Sequence, residues 1–479
     1  MAQTPPRLSV QSAVGGSQSA VAPGSLLTVI VFSAGFPHPV DPSLIQVTLQ
    51  SQGSGQIYSA ELVPNAPYYP FVWAIVPDAM PPGPATATLA ITGSSSLSTS
   101  VMIAPVAPGL FSVGQNGYGP ALAQNVLASA APALNQLTNP ALPGGLITLW
   151  GTGLGSASTA DVAIDVAGTI VPATFAGRSP GLPGVDQINF QLPADSYTGC
   201  YVSVTLHAGT VTSNSVTLSI DPTPGACAHP LGLSHSELQT LDSGGYLPVG
   251  SLSLQPPRIE FLFTHADAEL IFVFSQPQAP PRFGCEPPSL VGGAFLFGGG
   301  DAGRRLTLTG PGAGFELAES FGVYSPARRS DPTLLPGVWQ ISAPGGKDIG
   351  PFEQSFTLPP SPHLTSTAFS GSGDFTATWD PKGYSGDDVM TVQLGNPDPY
   401  YGVFFVPNVS CTAPAAEGSL VMPGALLASA GAKASGTLQL SVLPLPTARV
   451  IFRAPLTTGG TFPIVISYSL STTQPLTLP

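Results

Sequence analysis

The chain has 479 residues, of which 43% are hydrophobic and only 8% charged, and its formal net charge is −13. Apolar stretches recur along the whole length, so the 55 Gly and 55 Pro read as turn formers between strands rather than as marks of disorder. With 13 Lys and Arg in all, the chain lacks the cations to neutralise a run of phosphates, which argues against nucleic acid and anionic membrane surfaces as partners. No apolar run reaches the roughly 18 residues of a transmembrane helix.

The first residues, Met1-Ala2-Gln3-Thr4-Pro5-Pro6, contain neither a basic n-region nor an apolar h-region, and they fit a mature exported chain behind an added Met. Strand signals follow in series. Leu26 to Phe32 is a β-branched run after Ala22-Pro23-Gly24, and Leu146 to Trp150 follows Pro143-Gly144-Gly145. Residues 202–206 and 216–220 alternate, and 306–309, 375–379, 438–442 and 464–468 repeat the pattern. Runs of four to seven such residues punctuated by Gly and Pro belong to sandwiches and barrels. Helix signals are few. Ser234-His235-Ser236-Glu237 has the spacing of a capping box ahead of Leu238 to Leu241, and Pro423 to Ala428 suits one or two helical turns.

A repeat is visible at about 120 residues. Pro23-Gly24-Ser25-Leu26-Leu27-Thr28-Val29 echoes Pro143-Gly144-Gly145-Leu146-Ile147-Thr148-Leu149, and each run leads into a small-residue turn, the second being Gly151-Thr152-Gly153-Leu154-Gly155. A repeat of that size indicates tandem sandwich modules rather than a solenoid. The expected fold class is therefore all-β, with tandem immunoglobulin-like β-sandwich modules and very little helix. Joints are expected at 106–112 and at the proline-rich Leu358 to Pro362. These joints give an immunoglobulin-like module over 1–107, a second over 108–227, a β-rich module over 228–360 and a β-sandwich over 361–479.

Four cysteines, Cys200, Cys227, Cys285 and Cys411, contain no CxxC pair, and an even number in a strand-rich exported chain reads as two disulfides. Of the three possible pairings we prefer Cys200–Cys227, which are close in sequence at the edge of one module. That leaves Cys285–Cys411 to staple the C-terminal half across the second joint.

Residues 106–220 carry a set of short motifs. They are Pro108-Gly109-Leu110-Phe111-Ser112, Gly119 to Asn125, Asn139-Pro140-Ala141, the strand into Gly151 to Gly155, Phe175-Ala176-Gly177, Gln187-Ile188-Asn189-Phe190-Gln191-Leu192-Pro193 and Ser213-Asn214. Together they resemble the Solibacter-type C-terminal domain family, an uncharacterised immunoglobulin-like module of exported bacterial proteins. The resemblance implies an exported β-rich protein and supplies no catalytic residues. It also implies a Gly-Cys at the position of Gly199-Cys200 and a cysteine after the last strand, as at Cys227. More loosely, Leu306 to Pro311, Pro336 to Trp339, Gly345 to Gly350 and Val409 to Ala413 are similar to segments that accompany this module.

For chemistry the sequence offers little. Neither GxSxG nor HExxH occurs, no Walker loop is present, and the six histidines show no ligand spacing. Gly151-x-Gly153-x-Gly155 reads as a strand-end turn that needs small residues. We therefore expect no enzyme and no cofactor. Asp387 and Asp388, with Asp380 or Asp398, are calcium candidates because hard oxygen donors suit that ion, and Asp161 with Asp165 is a second pair. Tyr384, Tyr400 and Tyr401 are the candidate platform for a sugar face. The function expected is a non-enzymatic exported scaffold or adhesion protein of the bacterial cell surface, whose partners are copies of itself. The alternative is a surface protein that binds glycans through the aromatic residues.

Overall fold

The computed structural model describes residues 7–15, 20–32, 41–63, 71–93, 96–126, 131–256, 258–275, 284–286, 300–320, 322–326, 334–369, 373–397, 405–429, 435–445 and 448–477. The chain is all-β and built of tandem immunoglobulin-like modules. It divides into two compact units at His229/Pro230.

The first unit holds two sandwiches, each with its own core. In the N-terminal one, Arg7–Ser12, Leu26–Phe32 and Phe71–Ile75 form one layer, and Ile45–Ser51, Gly83–Ile91, Leu97–Ile103 and Ala20–Val21 form the other. Ile57–Leu62 pairs with both layers and joins them. Alternation decides which face turns inward: Ile45, Val47 and Leu49 are buried while Gln46 and Gln50 are exposed. Leu27, Val29, Val72, Leu89 and Ile103 complete that core.

The second sandwich pairs Ala123–Val126, Leu146–Thr152, Asp186–Gln191 and Phe175–Arg178 in one sheet. Thr169–Pro172, Val162–Val166, Gly199–Ala208 and Val216–Ile220 form the facing sheet. Ile147, Leu149, Phe190, Val204, Leu206 and Leu218 interleave between them. The 120-residue repeat is thus two sandwiches in one unit, each entered by a Pro-Gly turn.

The second unit departs from the expected boundary at 360/361. Its nine-stranded sheet runs Phe352–Leu358, Gly337–Ala343, Arg305–Gly310, Ala313–Ser320, Val323–Pro326, Arg258–Ala266, Leu247–Gln255, Thr461–Tyr468 and Val450–Pro455. Thr461–Tyr468 enters parallel to Leu247–Gln255, so the last part of the chain completes the sheet begun before residue 260. The two edges of this sheet then approach one another. Gly350 N donates to Pro455 O at 2.8 Å, and the Phe352 and Phe452 rings lie 5.5 Å apart. Bringing the edges together hides backbone groups that an open sheet would expose. A five-stranded sheet (Gly284–Glu286, Phe405–Pro414, Asp388–Pro397, Ser435–Pro444, Leu470–Thr477) and a three-stranded sheet (Leu364–Phe369, Phe375–Trp379, Ser419–Met422) share a single core with it. The prolines at 359–362 therefore form a connection inside one unit, not a joint between modules.

The capping box forms as its spacing suggests. Ser234 caps the helix His235–Asp242, and Glu237 accepts from Ser234 N at 2.7 Å. A short helix also occupies Gly424–Ser429. A third, Ala268–Ser275, gave no helix signal. Among the described residues, no helix is long and apolar enough to cross a membrane.

Candidate functional site

Polar and conformationally special residues gather in two places: a joint within the first unit and a cleft within the second.

The joint is built on the glycine-rich turn that follows Leu146–Thr152. Gly153 and Gly155 have φ of +89° and +54°, and a Cβ on either would strike the carbonyl oxygen of Ala107 or Pro105, respectively. The close approach permits two hydrogen bonds, from Ala107 N to Gly153 O at 2.9 Å and from Ser156 N to Pro105 O at 3.1 Å. Thr152 Oγ1 accepts from Leu26 N at 2.8 Å and donates to Gly184 O at 2.6 Å. Arg178 reaches the first sandwich through Nη2, which donates to Pro23 O at 2.9 Å, a contact that Gly24 leaves open by lacking a side chain. Its Nη1 donates to Asp186 Oδ1 at 2.8 Å, while Asp186 Oδ2 accepts from Leu154 N at 2.8 Å. Asp186 is 1% exposed, and burial pushes its carboxyl above the usual carboxylate range although Arg178 and the backbone donors pull it back. The glycine pattern, read as a strand-end turn, is also the seat of the linker between two sandwiches. Its partners lie over a hundred residues away along the chain in one case, so local sequence gives no hint of them.

Cys200 and Cys227 are bonded, tying Gly199–Ala208 to the segment after the last strand of the second sandwich. Cys285 and Cys411 are bonded across the ladder where Gly284–Glu286 pairs with Phe405–Pro414. That second link spans the prolines at 359–362 but lies within one unit.

The cleft, of about 440 Å³, lies between the end of Phe352–Leu358, the loop ahead of Asp388–Pro397, and the strands Val450–Pro455 and Thr461–Tyr468. Asp387 and Asp388 both line it, with different surroundings. Asp388 is buried, and its carboxylate accepts from Ser385 N at 2.6 Å, Ser385 Oγ at 2.8 Å and Tyr468 OH at 2.6 Å. Ser385 supplies both bonds to Oδ2 and Tyr468 the one to Oδ1. Asp387 stays exposed at the rim, and its backbone carbonyl accepts from Leu445 N at 2.7 Å. Asp380 accepts from Lys382 N at 3.0 Å, and Asp398 lies outside the described residues. Asp161 caps a short turn through Ser158, and Asp165 accepts from Gly168 N at 2.6 Å. Among the described residues, no group of three His, Cys, Asp or Glu gathers as a metal site would require.

Tyr384 stands next to the cleft, between Gly383 and Ser385 of its lining, but its ring packs against the core of the unit. Burial, reinforced by Asp388 and Asp380, pushes its hydroxyl up to about 12. The ring is thus partly buried, one part of it packed against the core. Tyr400 and Tyr401 lie outside the described residues. The residue that sequence reasoning passed over is Arg449. It lines the cleft, its Nη1 donates to Phe274 O at 3.0 Å, its Nε is buried without a hydrogen-bond partner, and burial lowers its pKa.

No known family's profile matches the chain, and no curated protein matches it. Among solved structures, domains 5–6 of the S-layer protein SbsC are similar at 16% identity, over 46% of this chain and all of that one, with a TM-score of 0.22. SGBP-B of the mixed-linkage glucan utilization locus of Bacteroides ovatus, solved in complex with a mixed-linkage heptasaccharide, is similar at 10% identity over 99% of this chain and all of that one, with a TM-score of 0.15. The FN1–FN3 domains of chicken CNTN1 are similar at 11% identity over 68% of this chain and 99% of that one, with a TM-score of 0.17. At these values the likenesses concern the fold alone.

Proposed function

We propose that this chain is a non-enzymatic scaffold or adhesion protein of the bacterial cell surface, exported, and joined to copies of itself. The observation that carries the reading is the joint of the first unit. A glycine turn, a threonine and an Arg–Asp pair fix two sandwiches to one another by hydrogen bonds between residues up to 155 positions apart. A chain whose task is to hold modules at a set spacing needs such a joint, whereas one whose modules act separately does not. Two disulfides suit an oxidising compartment outside the cytoplasm. The resemblance of residues 106–220 to the Solibacter-type module points the same way.

Self-association would proceed by strand addition. Leu470–Thr477 ends the five-stranded sheet and Arg7–Ser12 ends the eight-stranded one, so among the described residues each has an edge with no partner strand in that sheet. With 8% charged residues, little repulsion opposes contact between copies. Surface biotinylation of intact cells and electron microscopy of the purified native protein test the proposal. Labelled protein and ordered multimers are expected. A chain protected from the reagent until lysis, or one dispersed as monomers at all concentrations, would refute it.

A further inference from the structure

The cleft of the second unit presents a charge pattern that the scaffold reading leaves unused. Arg449 is a largely buried cation in a chain of net charge −13, yet it forms no ion pair among the described residues. A guanidinium withdrawn from water without a counter-charge is costly, and its planar fork matches a carboxylate. One carbonyl, Phe274 O, holds the group in place without neutralising it. On the rim, the exposed Asp387 is an acceptor for hydroxyls. Among the described residues Asp388 forms no ion pair with Arg449, and its carboxylate is held by Ser385 and Tyr468 instead. Leu358 and Ile466 add apolar wall. A ligand that satisfies both ends carries a carboxylate for Arg449 and hydroxyls for Asp387.

We propose that this cleft binds a uronic-acid residue of a glycan, with Arg449 taking the sugar carboxylate and Asp387 accepting from the ring hydroxyls. The cleft can take such a ligand whether or not the chain is a scaffold. Its size, about 440 Å³, lies in the range of small-ligand sites.

The test is calorimetric titration of the full chain with oligogalacturonate and oligoglucuronate, and with the same oligosaccharides reduced at C6 to neutral sugars, all in the presence of a calcium chelator. The acidic sugars are expected to bind at least about tenfold tighter than the neutral ones, the worth of a charge-assisted hydrogen-bonded pair. Arg449→Gln should erase that preference, and Arg449→Lys should retain part of it. Asp387→Asn, at an exposed position that leaves the core untouched, should weaken the acidic sugars while thermal unfolding stays unchanged. Equal affinity for acidic and neutral sugars would overturn the proposal. So would the absence of acidic-sugar binding to the intact chain, binding that appears only when calcium is restored, or binding unaffected by Asp387→Asn.

Discussion

Replacing Gly153 by Ala tests the joint with a single methyl group. At φ +89° an alanine costs about 1–2 kcal/mol in the left-handed region. Its Cβ also meets a backbone carbonyl, Ala107 O, which no rotamer change can move aside. Relief requires the linker to back away, and that breaks the 2.9 Å bond from Ala107 N to Gly153 O, worth about 1 kcal/mol. The sum, about 2–3 kcal/mol, corresponds to a local opening equilibrium shifted by roughly 30- to 150-fold. Hydrogen exchange of the peptide covering residues 105–107 reads that shift directly. Gly181→Ala supplies the control, since Gly181 has φ +75° but open space where the methyl would go. It should pay the backbone strain in its own turn and leave exchange at 105–107 unchanged. If Gly153→Ala and Gly181→Ala gave the same exchange at the linker, the turn would not be seating it, and the argument for a built joint would be wrong.

Three further outcomes follow from the same geometry. Removing the Cys285–Cys411 link, which closes 126 residues of chain, should cost about 5 kcal/mol in the second unit, against about 3.5 kcal/mol in the first for the 27-residue Cys200–Cys227 link, measured by calorimetry of Cys→Ser pairs. Because burial raises the pKa of Asp186 in the folded state, the folded chain binds more protons than the unfolded one between the ordinary carboxylate range and the raised value. Stability of the first unit should therefore rise as pH falls through that window, and Asp186→Asn should flatten that slope in denaturant titrations. Gly310 lies against the ring of the fully buried Trp339, where a Cβ would collide with the indole. Gly310→Ala should cost about 1–3 kcal/mol and shift Trp fluorescence as the stacking of Trp339 on Phe315 is disturbed, and an unaltered unfolding midpoint would contradict this packing.

Strand-rich architecture was legible because period-two alternation and Gly/Pro punctuation are local. Residues 216–220 and 375–379 form strands with the bounds their pattern suggests, and 146–150 gains only Gly151 and Thr152. The helix Ala268–Ser275 escaped because Leu270-Ile271-Phe272-Val273-Phe274 reads as a buried strand. Asp267 decides otherwise by capping, accepting from Leu270 N at 2.9 Å. The boundary at 360 failed for a different reason. Prolines mark a break in a sheet, but whether the chain later returns to that sheet depends on the long-range pairing of Thr461–Tyr468 with Leu247–Gln255. The candidate site shows the same division. Asp387 and Asp388 stood out as a dipeptide, yet the cage around Asp388 comes from Tyr468, eighty residues on. Arg449 has no signature at all, since its burial without an ion pair among the described residues exists only in three dimensions.

On the proposed function, this chain works outside the cytoplasm as a stapled array of β-modules. Peptide mapping without reduction, on native protein recovered from the cell-surface fraction, tests it most directly. Cross-linked peptides joining Cys200 to Cys227 and Cys285 to Cys411 are predicted in that fraction. Recovery of the protein from the cytoplasm with all four thiols open to alkylation would contradict it.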